Sequence, residues 1–264
     1  MNKLLFYGTS DAQGVPRLLC DCKVCIQKDP LNQRTRPSAQ FTMNGNVFLI
    51  DVSPDFKHQF HLYNNKKIPS TVFITHPHND HVAGLGDLAD LCYWNNVDTE
   101  VVGAPEVISE LTERFPYLAK RKGLTFKGTL KWDSGETTIT FHKVNHGFNG
   151  HSYGIVVHQK QGERWAYVSD SFNVTKEQWQ PFYHLDLLIF GTSFWKEYLQ
   201  KEKRSVYDVT EAMEIKAKLQ AKNMVFTHLS HDIDIPKHAE MLSDENVSFA
   251  YDGHEILLPY LCLD

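Results

Sequence analysis

No apolar run among the 264 residues approaches the roughly 18 needed for a membrane-spanning helix. The opening stretch Met1-Asn2-Lys3-Leu4-Leu5-Phe6-Tyr7-Gly8 has too short an apolar segment for a signal peptide and reads as a strand. Internal repeats and low-complexity tracts are absent as well, so nothing points to a solenoid or a disordered tail. Excess charge of one sign is scarce. Twenty-seven Lys and Arg against 32 Asp and Glu leave a net charge of −5, which gives no electrostatic footprint for nucleic acid. Cysteine is scarce too: there are five, and three of them fall within six residues. That pattern excludes a disulfide framework and fits a reducing compartment, the cytoplasm by default. What is present, 42% hydrophobic and 22% charged residues, belongs to an ordinary globular protein. The length admits one large α/β domain or two small ones with ample core.

The densest chemistry lies in Thr75-His76-Pro77-His78-Asn79-Asp80-His81, directly after the apolar run Thr71-Val72-Phe73-Ile74. Alternate side chains on an extended segment share a face. His76, His78 and Asp80 are therefore expected to converge, with His81 beside them at the turn into the next helix. Imidazole nitrogen and carboxylate oxygen together suit Zn, Mn or Fe better than Ca or Mg. A His-rich surface loop is the plainer alternative, and the spacing argues for a metal site.

A second cluster, Cys20-Asp21-Cys22-Lys23-Val24-Cys25, follows Gln13-Gly14-Val15-Pro16. Three thiols on a polar loop have little packing value, but they supply three legs of a tetrahedral zinc site whose fourth ligand comes from elsewhere. Cys92 reads as a core residue of a helix.

Along the chain, Lys3 to Thr9 reads as a strand, and Phe41 to Met43 with Asn46 to Asp51 as a hairpin around Asn44-Gly45. Pro54 to Tyr63 reads as a helix capped by Ser53, and 71–75 as a buried strand. Helices are expected over 84–94, 105–115 and 207–221, and strands over 100–103, 137–145, 152–158, 164–169, 186–191, 223–227, 247–250 and 255–258. Helices and strands interleave, yet several neighbouring strands are separated only by turns. Two sheets with helices outside fit better than one doubly wound sheet.

Three later strands end in a potential ligand: Lys143-Val144-Asn145-His146, Ala166-Tyr167-Val168-Ser169-Asp170 and Met224-Val225-Phe226-Thr227-His228. Strand ends make sites because the sheet holds the side chain rigidly while the following loop stays open. With these segments in view, the sequence resembles the metallo-β-lactamase fold superfamily. Its H-x-H-x-D-H signature matches His76, His78, Asp80 and His81, and its later ligands match His146, Asp170 and His228. Within it the chain is similar to phosphoribosyl cyclic phosphodiesterases, through Gly8-Thr9-Ser10, Ala12 to Pro16, the three cysteines and Thr227-His228-Leu229-Ser230-His231.

The resemblance covers nearly the whole chain and implies one hydrolase domain over 1–264, with a Cys-rich zinc loop near 16–36. The implied fold is α/β, a four-layer αβ/βα sandwich of two mixed sheets with helices outside. Two divalent metals (Zn, Mn or Fe) would lie at its open edge, with a small cyclic phosphodiester as substrate. By position, His76, His78 and His146 would hold one metal, Asp80, His81 and His228 the other, and Asp170 would bridge them. Cys20, Cys22, Cys25 and His231 would hold one structural Zn. Asp80 would also orient the nucleophile, and a homodimer is common among such proteins.

One position departs from the pattern. These phosphodiesterases place a proton-donating His where Val206 stands here, before the helix near Tyr207. Valine transfers no proton, which leaves His151, Tyr153 or Tyr207 as a stand-in, or a leaving group that needs no acid. The rival readings are a tRNA 3′-processing nuclease, a thioesterase or lactonase, and a non-catalytic metal-binding protein. The nuclease would have only Lys196, Lys201, Lys203 and Arg204 as a basic surface. His58, His61, His142, His158, His184, His238 and His254 read as surface or satisfied polar residues. Asp252-Gly253 reads as a turn, and Trp94 and Trp195 either line the substrate mouth or pack in the core.

Overall fold

The computed structural model describes residues 2–63, 66–160 and 164–258. Among these, fourteen strands form two seven-stranded mixed sheets. The first sheet is built from β1 (Asn2–Gly8), β2 (Ser38–Met43), β3 (Asn46–Ile50), β4 (Thr71–Ile74), β5 (Thr99–Gly103) and β6 (Leu124–Gly128). The second is built from β7 (Lys131–Asp133), β8 (Thr137–Asn145), β9 (His151–Gln159), β10 (Arg164–Val168), β11 (Leu187–Gly191), β12 (Asn223–Thr227) and β13 (Val247–Phe249). The last strand, β14 (Glu255–Leu258), returns to the first sheet. The spatial orders are β14-β1-β2-β3-β4-β5-β6 and β13-β12-β11-β10-β9-β8-β7. Strands β3 to β6 run parallel, as do β10 to β13, and the remaining pairs are antiparallel.

The helices are α1 (Lys23–Ile26), α2 (Phe56–Tyr63), α3 (Asn79–Val82), α4 (Leu85–Asn95), α5 (Pro105–Arg114), α6 (Val209–Leu219) and α7 (Ile235–Ala239). The layering follows from period-2 alternation in the second sheet. Trp165, Tyr167, Leu187, Ile189 and Val225 enter the core shared with the first sheet. Their neighbours Ala166, Val168, Leu188, Phe190, Met224 and Phe226 pack on the other face with Val209, Ala212, Ile215 and Leu219 of α6. Strands buried on both faces must read as continuous apolar runs, as these do. Phe41, Phe48, Phe73, Trp132 and Trp165 form an aromatic seam between the sheets.

The expected sandwich of two mixed sheets with helices outside is the observed architecture. Helix α2 begins at Phe56 instead of Pro54, because Ser53 and Pro54 form a preceding turn closed by Phe56 N donating to Ser53 O at 3.0 Å. The sequence reading missed β6 and β7. Both are short and largely exposed edge strands, so neither carries the burial pattern that marks a strand.

Asp252 does form a turn, and the turn has a further job. Its carboxylate is buried and accepts from Thr9 N (2.9 Å), Thr9 Oγ1 (2.8 Å), Thr35 N (2.6 Å) and Thr35 Oγ1 (2.6 Å). It thereby pins the end of β1 and the return of the Cys-rich loop to the turn before β14. Burial outweighs these donors and pushes its pKa up from 3.8 to about 6. The folded state therefore holds this proton through a window where the unfolded chain has released it. Relative to Asp252→Asn, wild-type stability is expected to fall as pH rises from about 4 to 6, by at most about 3 kcal/mol. Parallel denaturation curves for the two proteins across that window would expose an error in the sign.

Candidate metal centre

The candidate ligands arrive from strand ends along one edge. After β4, residues 75–78 are extended and carry His76 and His78, and the single turn of α3 then presents Asp80 and His81. The expectation of pure extended alternation was therefore wrong for Asp80, which a helical turn places. His146 follows β8, Asp170 lies two residues past β10, and His228 directly follows β12. His228 is held at φ 59°, a strained conformation for a non-glycine residue. A Cβ on Gly191 would run into the carbonyl oxygen of Ser169, so glycine alone lets β11 pass this close to the segment bearing Asp170.

All seven side chains meet. His76, His78 and His146 present ligand atoms within 4.8 Å of one another, as do His76, His81 and Asp170, and likewise Asp80, His81 and His228. Asp170 lies between the triads, with Oδ1 3.3 Å from His81 Nε2 and Oδ2 3.2 Å from His228 Nε2 and 3.9 Å from His146 Nε2. Asp80 Oδ2 is 3.2 Å from His81 Nε2 and 3.6 Å from His228 Nε2.

The outer nitrogens show which atoms face inward. Thr75 Oγ1 donates to Asp51 Oδ2 at 2.8 Å, so His76 Nδ1–H donates to that hydroxyl at 3.0 Å. His81 Nδ1–H donates to Asp51 Oδ2 at 2.7 Å, and His146 Nδ1–H to Ser205 O at 2.7 Å. His228 Nδ1 lies 3.4 Å from the Ser193 hydroxyl. In each case Nε2 is left facing the centre, the usual arrangement behind a metal-binding histidine. His81 Nε2, His228 Nε2 and Asp170 Oδ1 are buried without a hydrogen-bond partner. Orphaned acceptors of this kind are costly unless a cation satisfies them.

Electrostatics point the same way. Burial holds the pKa of His76, His78 and His146 below the ordinary histidine value, keeping their lone pairs available. Burial opposes charge on Asp80 and Asp170 too, but the imidazoles of His81 and His228 outweigh it and hold both carboxyls far below their usual range. Burial opposes charge on His81 and His228, but Asp80 and Asp170 outweigh it and raise the pKa of both rings. The centre is thus a buried anionic pair with three neutral imidazoles and two that pair with it as cations, a charge that divalent cations would replace.

Asp51 escaped the sequence reading. It ends the apolar strand β3 in the same way that Asp170 follows β10, and that repeated pattern was the available signal. It is fully buried at φ 57° and ties His81 to Thr75. Asp51→Asn is expected to weaken affinity for the metal at His81 by about 10–100-fold. A chelator-competition titration giving wild-type affinity would show that His81 is oriented by other means.

A second cluster lies beside the first. His231 Nδ1 is 3.2 Å from Cys20 Sγ and 3.5 Å from both Cys22 Sγ and Cys25 Sγ. Tetrahedral zinc with bonds of about 2.3 Å to sulfur and about 2.0 Å to nitrogen requires S···N edges of roughly 3.5 Å. The four side chains fit such an ion. Arg34, fully buried, locks the two halves together. It donates to Ser230 O (2.9 Å) and Ile233 O (3.0 Å) on the His231 loop, and to Leu31 O (3.1 Å) and Asn32 Oδ1 (2.7 Å) on the Cys loop.

The remaining assignments sort cleanly. Val206 is buried and apolar. Tyr207 is half-buried against Phe172 and Phe190, and its hydroxyl accepts from Val174 N at 2.9 Å. Tyr153 donates to Glu106, and burial with that carboxylate pushes its pKa well up. His151 remains exposed. Trp195 stacks on His238 with centroids 5.1 Å apart and joins the α6-side core. Trp94 is 78% exposed at the far end of α4, an eleven-residue helix leading away from the His cluster, and so lies off the mouth. Cys92 is fully buried, as expected, whereas Cys262 falls outside the described residues.

Comparison with known proteins gives the following. The profile of the Beta-lactamase superfamily domain matches residues 46–229. An octanoyltransferase from Porphyromonas gingivalis is 26% identical over 97% of this chain, and the chain spans about half of that protein, 51% of its length. A diphosphatase of the PhnP family has a similar structure at TM-score 0.85 and 24% identity, covering 97% of each chain. Zn²⁺-bound PqqB from Methylobacterium extorquens matches at TM-score 0.82 and 16% identity, over 97% of this chain and 100% of that one. The short form of human tRNase Z matches at TM-score 0.72 and 17% identity, over 97% and 99% of the two chains. At these identities the structural likeness speaks for the fold alone.

Proposed function

The chain belongs to the beta-lactamase superfamily, and from that membership we propose that it is a hydrolase that uses two divalent cations to cleave a small phosphodiester or phosphoanhydride. The observation that carries this is the set of orphaned, buried acceptors on His81, His228 and Asp170, converging from three separate strand ends. His76, His78 and His146 would hold one cation, Asp80, His81 and His228 the other, with Asp170 shared. Cys20, Cys22, Cys25 and His231 would hold a structural zinc. Paired cations supply a nucleophile from water near neutral pH and neutralise charge growing on phosphoryl oxygens.

The chain's own groups do the positioning. Asp80, anionic and buried at the centre, accepts a hydrogen bond from the attacking water and aims it. Thr75, Asp51, Ser205 and Ser193 fix the rings that face it. Val206 is apolar and Tyr153 is spent on Glu106, so of the candidate donors the exposed His151 and the half-buried Tyr207 alone keep a proton to give. A site so sparsely supplied with acid favours substrates whose leaving group departs as a stable anion, which fits a phosphoanhydride or an activated diester. A diphosphatase and a tRNase Z share this fold, so the scaffold is one that accommodates phosphorus chemistry. A small substrate is favoured over tRNA because Lys196, Lys201 and Lys203 stand exposed while Arg204 is buried against Glu211.

The test is turnover by metal-loaded protein of bis-p-nitrophenyl phosphate and of a ribose cyclic phosphate, for wild type and Val206→His. Wild type is expected to cleave the activated diester, and Val206→His to gain about 10-fold or more on the cyclic one. No metal-dependent turnover of either would move the assignment to thioesters or lactones.

A further inference from the structure

His146 opens a five-residue turn, His146-Gly147-Phe148-Asn149-Gly150, whose backbone is held by four hydrogen bonds. His146 N donates to Gly150 O (2.9 Å), Asn149 N to His146 O (3.1 Å), Gly150 N to Gly147 O (3.2 Å) and Phe148 N to Arg204 O (3.3 Å). Gly147 sits at φ 57° against the carbonyl of Arg204, where a Cβ would collide, so the turn docks at one height over the site. Arg204 in turn is buried and paired with Glu211 and Asp208. The exposed Asn149 side chain rests on this support with Nδ2 3.3 Å from His146 Nε2.

That contact has a chemical direction. His146 Nδ1–H is spent on Ser205 O, so its Nε2 offers only a lone pair, and the Asn149 amide is the donor. A cation held by His76, His78 and His146 takes the same lone pair. An amide NH₂ has no lone pair to offer the cation, so it cannot compete as a ligand there. With that lone pair taken, the exposed Asn149 amide would be left as an unspent donor beside His146. An oxygen of the substrate drawn to that cation is the acceptor such a donor meets.

We propose that Asn149 is a substrate-contacting residue whose side-chain amide donates a hydrogen bond to a non-bridging phosphoryl oxygen in front of His146. This rests on the phosphoester reading of the site and adds a residue to it. Donors aimed at developing negative charge contribute strongly when preorganised, about 10²–10³-fold for a sequestered one. An exposed amide at the mouth contributes less, roughly 10–50-fold. The backbone of the turn does not depend on the side chain, so Asn149→Ala leaves the fold and the metal ligands intact.

The experiment compares wild type, Asn149→Ala and Asn149→Asp, each loaded with metal. Metal content, inorganic phosphate binding by calorimetry and kcat/KM on bis-p-nitrophenyl phosphate are measured for all three. Metal content is expected to stay equal in wild type and Asn149→Ala. Phosphate binding is expected to weaken about 5–10-fold in Asn149→Ala and further in Asn149→Asp, whose carboxylate repels the phosphate, with kcat/KM falling in the same order. Asn149→Ala binding phosphate within twofold of wild type would overturn the proposal, as would wild type binding none. Loss of metal in Asn149→Ala would also overturn it, by making the residue a prop for His146. If phosphate binding responds as expected while wild type turns over no phosphoester, the amide's role stands and the substrate assignment falls.

Discussion

Asp80→Ala is expected to abolish metal-dependent hydrolysis, by a factor on the order of 10³ or more, and to leave the open site with one tightly held metal instead of two. The carboxylate is the only anionic partner that α3 supplies to His81 Nε2 and His228 Nε2, at 3.2 and 3.6 Å. Without it those two Nε2 atoms have Asp170 alone, which also serves His146. Both the second metal and the group that orients water are thus lost in one step. Asp80→Asn separates the two roles, because the amide keeps the shape and one weak oxygen ligand but cannot take a proton. Inductively coupled plasma analysis beside kcat on an activated diester is the check. Two metals and more than a tenth of wild-type activity in the alanine variant would remove Asp80 from the mechanism.

Cys25→Ala is expected to release one metal per chain and to lower the thermal midpoint by about 10 °C. Cys25 is buried, and His231 reaches it across 206 residues of sequence. Structural zinc contributes folding free energy directly. Here a zinc held by Cys20, Cys22, Cys25 and His231 would close the joint between the Cys-rich loop and the segment 228–234, which also carries His228. Leu229 exchanges backbone hydrogen bonds with Thr9 and Asp11 across the same joint, at 2.8 and 3.2 Å. The loss is therefore expected to reach the catalytic centre, weakening the metal at His228 while leaving that at His76, His78 and His146. Arg34 would still tether the loop, so the variant should fold, with early proteolytic cleavage in 16–36. A loss of several kcal/mol in a chain of this length corresponds to that shift in midpoint. An unchanged midpoint with full metal content would show the cluster to be free thiols.

Much of the fold was legible because its signals are local. Continuous apolar runs over 187–191 and 223–227 mark strands covered on both faces, and the period of 209–219 marks a helix with one buried stripe. The His cluster was legible for the same reason, since four ligating groups in six residues need no distant partner to be noticed. Its geometry was less so. The chain turns helical at Asn79, and that turn, not strand alternation, directs Asp80 and His81 inward.

The sequence by itself determined the element types, the residues able to ligate a metal and the likeness to a known superfamily, because each is written in short-range periodicity and spacing. Only the tertiary structure decided which polar groups stand together. Asp51 against His81, Asn149 against His146 and Arg34 across the joint between the Cys loop and the His231 loop all depend on sheet register and crossing connections. Such contacts join residues far apart in the chain, or side chains whose direction depends on one turn. Residue order alone places no constraint on either. Burial then decides their chemistry, since the same carboxylate is a solvated charge on a loop and a metal anchor or a raised-pKa clamp inside.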